Sequence, residues 1–239
     1  MDGTVFKIPI NYMEILQGFI YKNISSEFSN FLHNTGYFYE KRSFRLFTFS
    51  RLISRYYRDA SKHMITFQNP VHFYVATALP DLYQELGNTL LMKDDLWIGN
   101  QRIEITEVQV KKIPLPESDV VVRTISPITM YSTFKKPNGR KVTVYYEPND
   151  LDYNKLITQN LVKKYKAFHG KDIEGDVKLE PFGKYRMHKA YYKQFPIKGA
   201  MGRFKVSGSP ELIKIGLETG FGSKNSQGWG CVLMEKGGG

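Results

Sequence analysis

The chain has 239 residues, 41% hydrophobic and 24% charged, close enough to globular averages to exclude a disordered or collagen-like chain. The length suits one large domain or two of about 100 to 120 residues, each able to bury a core without disulfides or metal staples. No apolar run nears the ~20 residues of a spanning helix, and no basic start leads into an apolar stretch, so neither membrane passage nor a signal peptide is expected.

Lys and Arg total 34 against 23 Asp and Glu, a net charge of +11, which points to a polyanionic partner, nucleic acid or an acidic membrane surface. The 16 Tyr and 16 Phe favour single-stranded nucleic acid, whose bases stack on rings while its phosphates take the charge. Cys231, the single cysteine, cannot form an internal disulfide and fits a reducing cytoplasm.

Residues 4–10 alternate as a short strand closed by Pro9. Asn11, three residues before Glu14, resembles a capping box, and Leu16, Ile20, Ile24, Phe28 and Phe31 make the stripe of one helix ending near 34–36. Residues 44–52 and 64–78 read as strands, the second broken by a turn at Asn69–Pro70. Pro80 at the first helical position opens a helix with Leu82, Leu86 and Leu90 on one stripe. Residues 97–113 read as a strand pair turning at Gly99–Asn100. The order is β-α-β-β-α-β, the ferredoxin-like split unit. Pro114, Pro116, Glu117 and Ser118 form a linker, which sets the expected domains at 1–115 and 119–236.

The second half repeats this order loosely. Residues 120–133 are strand-like, and Pro137, Asn138 and Gly139 turn into 141–146. Asn149 and Asp152 cap a helix striped by Tyr153, Ile157, Leu161, Tyr165 and Phe168, with Gly170 past its end. Residues 177–179, 184–194 and 200–206 read as strands. Ser209 and Pro210 open a helix with Leu212, Ile213 and Leu217 inward, Gly220 ends it, and 229–234 is the closing strand. The expected fold is α+β, two tandem ferredoxin-like (RRM-like) βαββαβ domains.

Residues 216–230 carry the strongest local motif. Gly220, Gly222, Gly228 and Gly230 let backbone N–H groups approach an anion closely, and Lys224, Asn225, Ser226 and Gln227 add donors between them. Neither GxxxxGK[ST] nor GxGxxG can be laid on these glycines, so a nucleotide cofactor gains no support. Lys184, Arg186, His188 and Lys189 interleave with rings on an expected hairpin that could face RNA, whereas Lys163, Lys164 and Lys166 read as a solvated helix face, on a helix that could also touch RNA. His63, His72, His169 and His188 show no ligand spacing and no CxxC or HxxxH is present, so no metal and no cofactor is expected. Trp97 and Cys231 read as core residues.

The loop at 220–230, with Leu16-Gln-Gly-Phe-Ile-Tyr21, Leu32-His33, Arg45-Leu-Phe-Thr-Phe-Ser50 and Ser126-Pro-Ile128, resembles the CRISPR-associated endoribonucleases of the repeat-associated (RAMP) superfamily. These process precursor CRISPR RNA and carry two ferredoxin-like domains with a C-terminal glycine-rich loop. The resemblance implies a metal-independent reaction in which the ribose 2′-OH attacks the adjacent phosphorus, leaving 2′,3′-cyclic phosphate and 5′-OH ends. It assigns the catalytic tyrosine, histidine and basic residue to Tyr21, His33 and Arg45. Where the family often has lysine this chain has Arg45, a poor proton donor suited to charge stabilisation, so Lys41, beside Arg42, is the understudy.

Tyr21 and His33 are twelve residues apart, about 120° around a continuous helix, so they share a site only if the chain turns His33 back. A helix C-terminus favours a cationic side chain through its dipole, which suits His33 as a proton donor. The implied partner is CRISPR repeat RNA, with a multi-subunit CRISPR effector complex as a further candidate. Monomer and homodimer are both compatible with the sequence. Two other readings stand beside this one: a non-catalytic CRISPR RNA-binding subunit of the same fold, and a metal-dependent nuclease or nucleotide-binding enzyme.

Overall fold

Alternation of apolar and polar residues turns Phe6 and Ile8 inward from the first strand, β1 (Val5–Pro9), and puts their neighbours in solvent. The computed structural model describes residues 5–116, 119–193 and 195–235. Thr4, Glu117, Ser118, Gln194 and residues 236–239, which entered the expectations for a strand start, the linker, a strand end and the tail, lie outside the described residues.

After β1 come α1 (Met13–Lys22), α2 (Ser26–Asn30), a π-helical turn (Phe31–Thr35), β2 (Tyr37–Tyr39), β3 (Arg42–Phe44), β4 (Phe47–Phe49) and β5 (Tyr56–Asp59). Then follow β6 (Met64–Gln68), β7 (Val75–Thr77), α3 (Pro80–Met92), β8 (Leu96–Ile98) and β9 (Gln101–Ile103). β4 pairs with β7, β5 with β6, and an isolated bridge joins Ile53 to His72 between them. The four strands are therefore two interrupted arms of one antiparallel hairpin, and β1 lies along the other side of β6.

Three expectations change here. The hairpin closes at 60–63, where His63 takes φ +52°, and Asn69–Pro70 only interrupts an arm whose two parts face the same partner. β8 and β9 form the expected hairpin around Gly99–Asn100, but 104–116 carry no strand, and this hairpin reaches β1 through a side chain, Gln101 Oε1 accepting from the Lys7 N–H at 3.1 Å. Trp97 is 48% exposed rather than core, its indole N–H donating to Asp95 Oδ1 at 2.7 Å.

The second half contains β10 (Asp119–Thr124), β11 (Met130–Lys135), β12 (Lys141–Tyr146), α4 (Tyr153–His169), β13 (Val177–Pro181) and β14 (Arg186–Tyr192). It ends with β15 (Phe195–Met201), β16 (Arg203–Gly208), α5 (Pro210–Thr219), a 3₁₀ turn (Asn225–Gln227) and β17 (Val232–Met234). Its antiparallel sheet has the order β13-β16-β10-β17, which is 2-3-1-4 in chain sequence and the ferredoxin-like arrangement. Two hairpins, β11–β12 and β14–β15, are inserted into it. The chain is thus α+β with two tandem ferredoxin-like units, the first with its fourth strand reduced to the β8–β9 hairpin.

Each half has its own core. Leu16, Ile20, Phe47, Phe67 and Leu82 belong to the first, and Ile157, Leu161, Phe204, Val206 and Leu212 to the second. Burial of each such side chain stabilises by roughly 1.5–3 kcal/mol. Phe168 packs against both clusters. Polar bonds join the halves: Thr48 Oγ1 donates to the Trp229 carbonyl at 2.9 Å, Gln17 Nε2 to that of Ser226 at 2.6 Å, and the Arg51 N–H to that of Ile125 at 3.1 Å. No helix among the described residues is long and apolar enough to cross a membrane.

Candidate active-site cleft

The apolar stripe from Leu16 to Phe31 reads as one helix, but the structure breaks it at Asn23–Ser25. Asn23 ends α1 with its side-chain N–H on the Phe19 carbonyl at 2.8 Å, and Ser25, at ψ 147°, opens α2 by accepting from the Phe28 N–H at 3.3 Å. Asn and Ser side chains compete with the helical backbone for its hydrogen bonds, so caps form where the periodicity runs on unbroken. Elsewhere the expected caps behave differently: Tyr12, not Asn11, precedes α1, and neither Asp152 nor Ser209 makes a side-chain capping bond.

The turn that follows is wider than an α-helix, the Gly36 N–H donating to the Phe31 carbonyl five residues back at 2.8 Å. Such π turns displace one residue outward. Gly36 is required there: its φ is +67°, and a Cβ would lie 2.6 Å from the Phe44 carbonyl oxygen. With the chain turned back, Tyr21 and His33 meet edge to face, ring centroids 6.2 Å apart, and Tyr21 also meets Phe47 edge-on at 5.9 Å. Asn34 Oδ1 accepts from His33 Nδ1 at 2.8 Å, which leaves Nε2 for a ligand.

Arg45 locks this arrangement. Its Nε donates to the Leu32 carbonyl at 2.8 Å, Nη2 to that of His33 at 2.7 Å, and Nη1 to Ser43 Oγ at 2.8 Å. The Leu32 and His33 carbonyls belong to the helix's last turn, whose carbonyls otherwise lack partners, and a cation there also meets the negative end of the helix dipole. Burial pushes the Tyr21 hydroxyl above its ordinary pKa, opposed in part by the charge and hydrogen bonding of Arg45. Tyr21 is therefore a neutral phenol at physiological pH.

Tyr21, His33 and Arg45 line a cleft of about 1400 Å³ whose opposite wall includes Ser223, Lys224, Asn225, Ser226 and Gln227 of the glycine-rich loop. Part of the loop's backbone is engaged within the protein. Its Phe221, Ser223, Gln227, Gly228 and Gly230 N–H groups are bonded to carbonyls of Gly230, Thr129, Lys224, Asn225 and Pro127. Asn225 Nδ2 is spent on the Phe221 and Trp229 carbonyls.

Gly220, Gly222 and Gly228, expected to bind RNA, are all three buried, and none lines the cleft. Gly222, at φ +77°, passes so close to the Thr129 carbonyl oxygen that a Cβ would strike it, while Gly220 lies against Thr48 and Asn225, and Gly228 against Met13 and Phe49. A Cβ on Gly230, at φ +79°, would lie 2.0 Å from the Phe221 carbonyl oxygen. Close packing accounts for these glycines, and Ser223, Lys224, Asn225, Ser226 and Gln227 are the loop residues that line the cleft.

Arg42 and Ser43 also line the cleft, whereas Lys41, Lys184, Arg186, His188 and Lys189 do not; among the described residues the β14–β15 hairpin reaches it through Tyr192 and Lys193. His188 faces Arg51 and Arg186, and burial with those charges lowers its pKa. Among the described residues no three His, Cys, Asp or Glu side chains come together as a metal would require.

Sequence reasoning missed Gln17, which joins both halves by donating to the Ser226 carbonyl and accepting from the Tyr192 hydroxyl. It also missed Asn160 and Lys164, which line the cleft from α4; Lys164, expected in a solvated face, is buried. Their i, i+4 spacing was the available signal.

The comparisons with known proteins cover nearly the whole chain. Residues 99–234 match the family model for CRISPR associated protein Cas6, C-terminal, and residues 7–109 the model for CRISPR-associated protein Cas6, N-terminal. The chain is 30% identical over 230 residues to the CRISPR-associated endoribonuclease Cas6 1 of Methanocaldococcus jannaschii, covering 95% of this chain and 87% of the relative. It is 29% identical over 241 residues to the CRISPR-associated endoribonuclease Cas6 of Pyrococcus furiosus, covering 96% and 84%. A solved structure described as CRISPR associated protein Cas6 superposes with a TM-score of 0.77 at 28% identity, covering 98% of this chain and 95% of that one. A RAMP protein described as binding different RNA substrates shares the fold, with a TM-score of 0.78 at 20% identity and coverage of 99% and 95%.

Proposed function

Because the chain belongs to the family of CRISPR-associated Cas6 proteins, we propose that it is an endoribonuclease that cleaves CRISPR repeat RNA without a metal ion. The observation that carries this reading is the meeting of Tyr21 and His33 at 6.2 Å in a cleft shared by both halves of the chain. The ribose 2′-oxygen forms a bond to the adjacent phosphorus as its proton passes to solvent water, the bond from phosphorus to the 5′-oxygen breaks, and that oxygen takes a proton from His33. The products are a 2′,3′-cyclic phosphate and a 5′-OH.

His33 supplies the proton to the departing oxygen through Nε2. Tyr21, neutral because burial raises its pKa, orients the 2′-OH by hydrogen bonding rather than acting as a phenolate base. Arg45 stabilises developing negative charge and, through its carbonyl bonds, fixes the turn that carries His33. Residues 1–115 and 119–236 act as two domains around the RNA. Lys224, Ser226 and Gln227 contact the RNA across the cleft, and Lys184, Arg186, His188 and Lys189 extend the basic surface beyond it. The protein works in the cytoplasm, alone or with a CRISPR effector complex.

The test is incubation with repeat RNA in EDTA, beside RNA with 2′-deoxyribose at the cleaved nucleotide. Cutting of the all-ribose RNA alone, with a cyclic-phosphate end, is expected. A requirement for added metal ion, or cutting of the 2′-deoxy substrate, overturns the mechanism. Tight binding with no cutting would instead identify a non-catalytic RNA-binding subunit. The engagement of Arg45 on main-chain carbonyls favours that second reading, because it leaves fewer donors for the phosphate.

A further inference from the structure

Three lysines in the middle of α4 have different environments. Lys163 pairs with Glu40 at 2.8 Å and Lys166 with Asp172 at 2.5 Å. Lys164 is 2% exposed and has no carboxylate within ion-pair distance among the described residues; its Nζ donates to the Gly220 carbonyl at 2.5 Å. One turn earlier, Asn160 is 6% exposed and its Oδ1 has no hydrogen-bond partner among the described residues. Both residues line the floor of the cleft between the His33 turn and the glycine-rich loop.

A buried ammonium without an anion is costly, and burial lowers the pKa of Lys164 to about 7. The elements packed against α4 offer no counter-ion. On α5, Glu218 lies 3.8 Å from Lys214; β13 carries Lys178 and Glu180, β11 ends in Lys135, and β2 brings the phenols of Tyr37 and Tyr39. On α4 itself stand Lys155 and His169 beside the two paired lysines. Around the cleft are Arg42, Arg45, His33, Lys193 and Lys224, and its one carboxylate among the described residues, Glu14, lies 3.6 Å from Lys193.

We infer that Lys164 is a positioning residue for RNA: it holds the Gly220 carbonyl at the root of the glycine-rich loop, and a phosphodiester in the cleft supplies the anion that its burial leaves missing. The inference rests on the RNA reading above. A phosphate near the amine favours its protonated form, so RNA binding takes up a proton and affinity falls as pH rises through 7 and beyond. Each unit by which RNA raises that pKa produces about a tenfold loss of affinity across the titration.

The experiment measures binding of repeat RNA carrying 2′-deoxyribose at the cleaved nucleotide by the His33→Ala protein, which lacks the cleft histidine, from pH 6 to 9. Calorimetry in two buffers of different ionisation enthalpy counts the protons taken up. Affinity is expected to fall about tenfold over this range with net proton uptake, and His33→Ala/Lys164→Met should lose both effects. The difference between the two proteins isolates Lys164 from His169 and His188.

Should the double variant fail to fold, carbon-13 NMR of lysine-labelled His33→Ala protein gives the same answer. A lysine titrating near 7 must move upward when RNA is added. Undiminished proton uptake in the double variant, or no lysine titrating below 9, overturns the inference and leaves the RNA reading intact. Failure to bind repeat RNA at any pH overturns both.

Discussion

Tyr21 and His33, twelve residues apart in the chain, face each other edge-on at 6.2 Å because the helix between them is cut at Asn23–Ser25 and widened at Phe31–Thr35. Neither residue reaches the other along a continuous helix. The pair therefore depends on caps and on a π turn, and it should respond separately to removal of its chemistry and of its support.

Removal of the chemistry is the first case. His33→Ala should lower single-turnover cleavage by about 10² to 10⁴ while leaving RNA affinity within a few-fold, because a general acid acts mainly in the transition state. Tyr21→Phe keeps the ring contacts with Phe47 and His33 and removes only a neutral hydroxyl, so its loss should be smaller, about tenfold. An equal fall in binding for His33→Ala would mean that this residue holds RNA rather than moving a proton.

Removal of the support is tested at Arg45. Arg45→Ala leaves the carbonyls of Leu32 and His33 without their donor and should destabilise the protein by ~1–3 kcal/mol in urea titration. Arg45→Lys separates the two roles. Lysine keeps the charge but cannot serve three acceptors in a planar fork. Activity close to wild type in Arg45→Lys would show that charge is what matters; a loss equal to that of Arg45→Ala would assign the residue to holding the turn.

Gly230→Ala should unfold the glycine-rich loop without touching any cleft charge. Its Cβ would sit 2.0 Å from the Phe221 carbonyl oxygen, and alanine resists the φ of +79°. A loss of at least ~2 kcal/mol is expected from the clash and the backbone strain together. Wild-type stability in this variant would show the loop to be looser than its packing implies.

The buried amine of Lys164 gives stability a defined pH dependence. Its folded pKa, about 7, lies below that of an unfolded lysine, near 10.4. Between these values the unfolded state binds more protons, so this contribution makes stability rise with pH, by up to ~1.4 kcal/mol per unit, and it is constant below 7. Urea midpoints for wild type and Lys164→Met at pH 7 and 9 isolate the effect, with the rise expected only in wild type. Parallel pH curves for the two proteins would contradict the burial of a titrating amine.

The relation between pattern and structure differs from element to element. The stripe Tyr153, Ile157, Leu161, Tyr165 and Phe168 predicts α4 with Gly170 just past its end, and the structure agrees, with Gly170 at φ +63°. Pro80 and Pro210 open α3 and α5 as their fixed φ requires. The strand Tyr56–Asp59 escaped detection because Tyr56 and Tyr57 are 64% and 70% exposed, so no buried face imposes an alternation on it. Residues 104–113 alternate like a strand yet have no backbone partner, since alternation records a preference and a sheet needs a neighbour.

The candidate site divides in the same way. Resemblance to a family picked out Tyr21, His33 and Arg45, and the structure brings them into one cleft with the glycine-rich loop. It did not reveal that Arg45 would be tied to two main-chain carbonyls, or that five of the loop's amides would be bonded within the protein and its glycines buried away from the cleft lining.

Local periodicity and punctuation are short-range properties, and from the sequence alone they determined the α+β order of elements, the C-terminal helices and the basic, aromatic character of the surface. The break that joins Tyr21 to His33, the burial of Lys164 and the crossing of Gln17 between the halves were decided only by the tertiary structure. Each depends on the sum of contacts between segments far apart in the chain. A lysine among lysines is solvated or buried according to which surface closes over it, and that surface, here the Gly220 end of α5, comes 56 residues later.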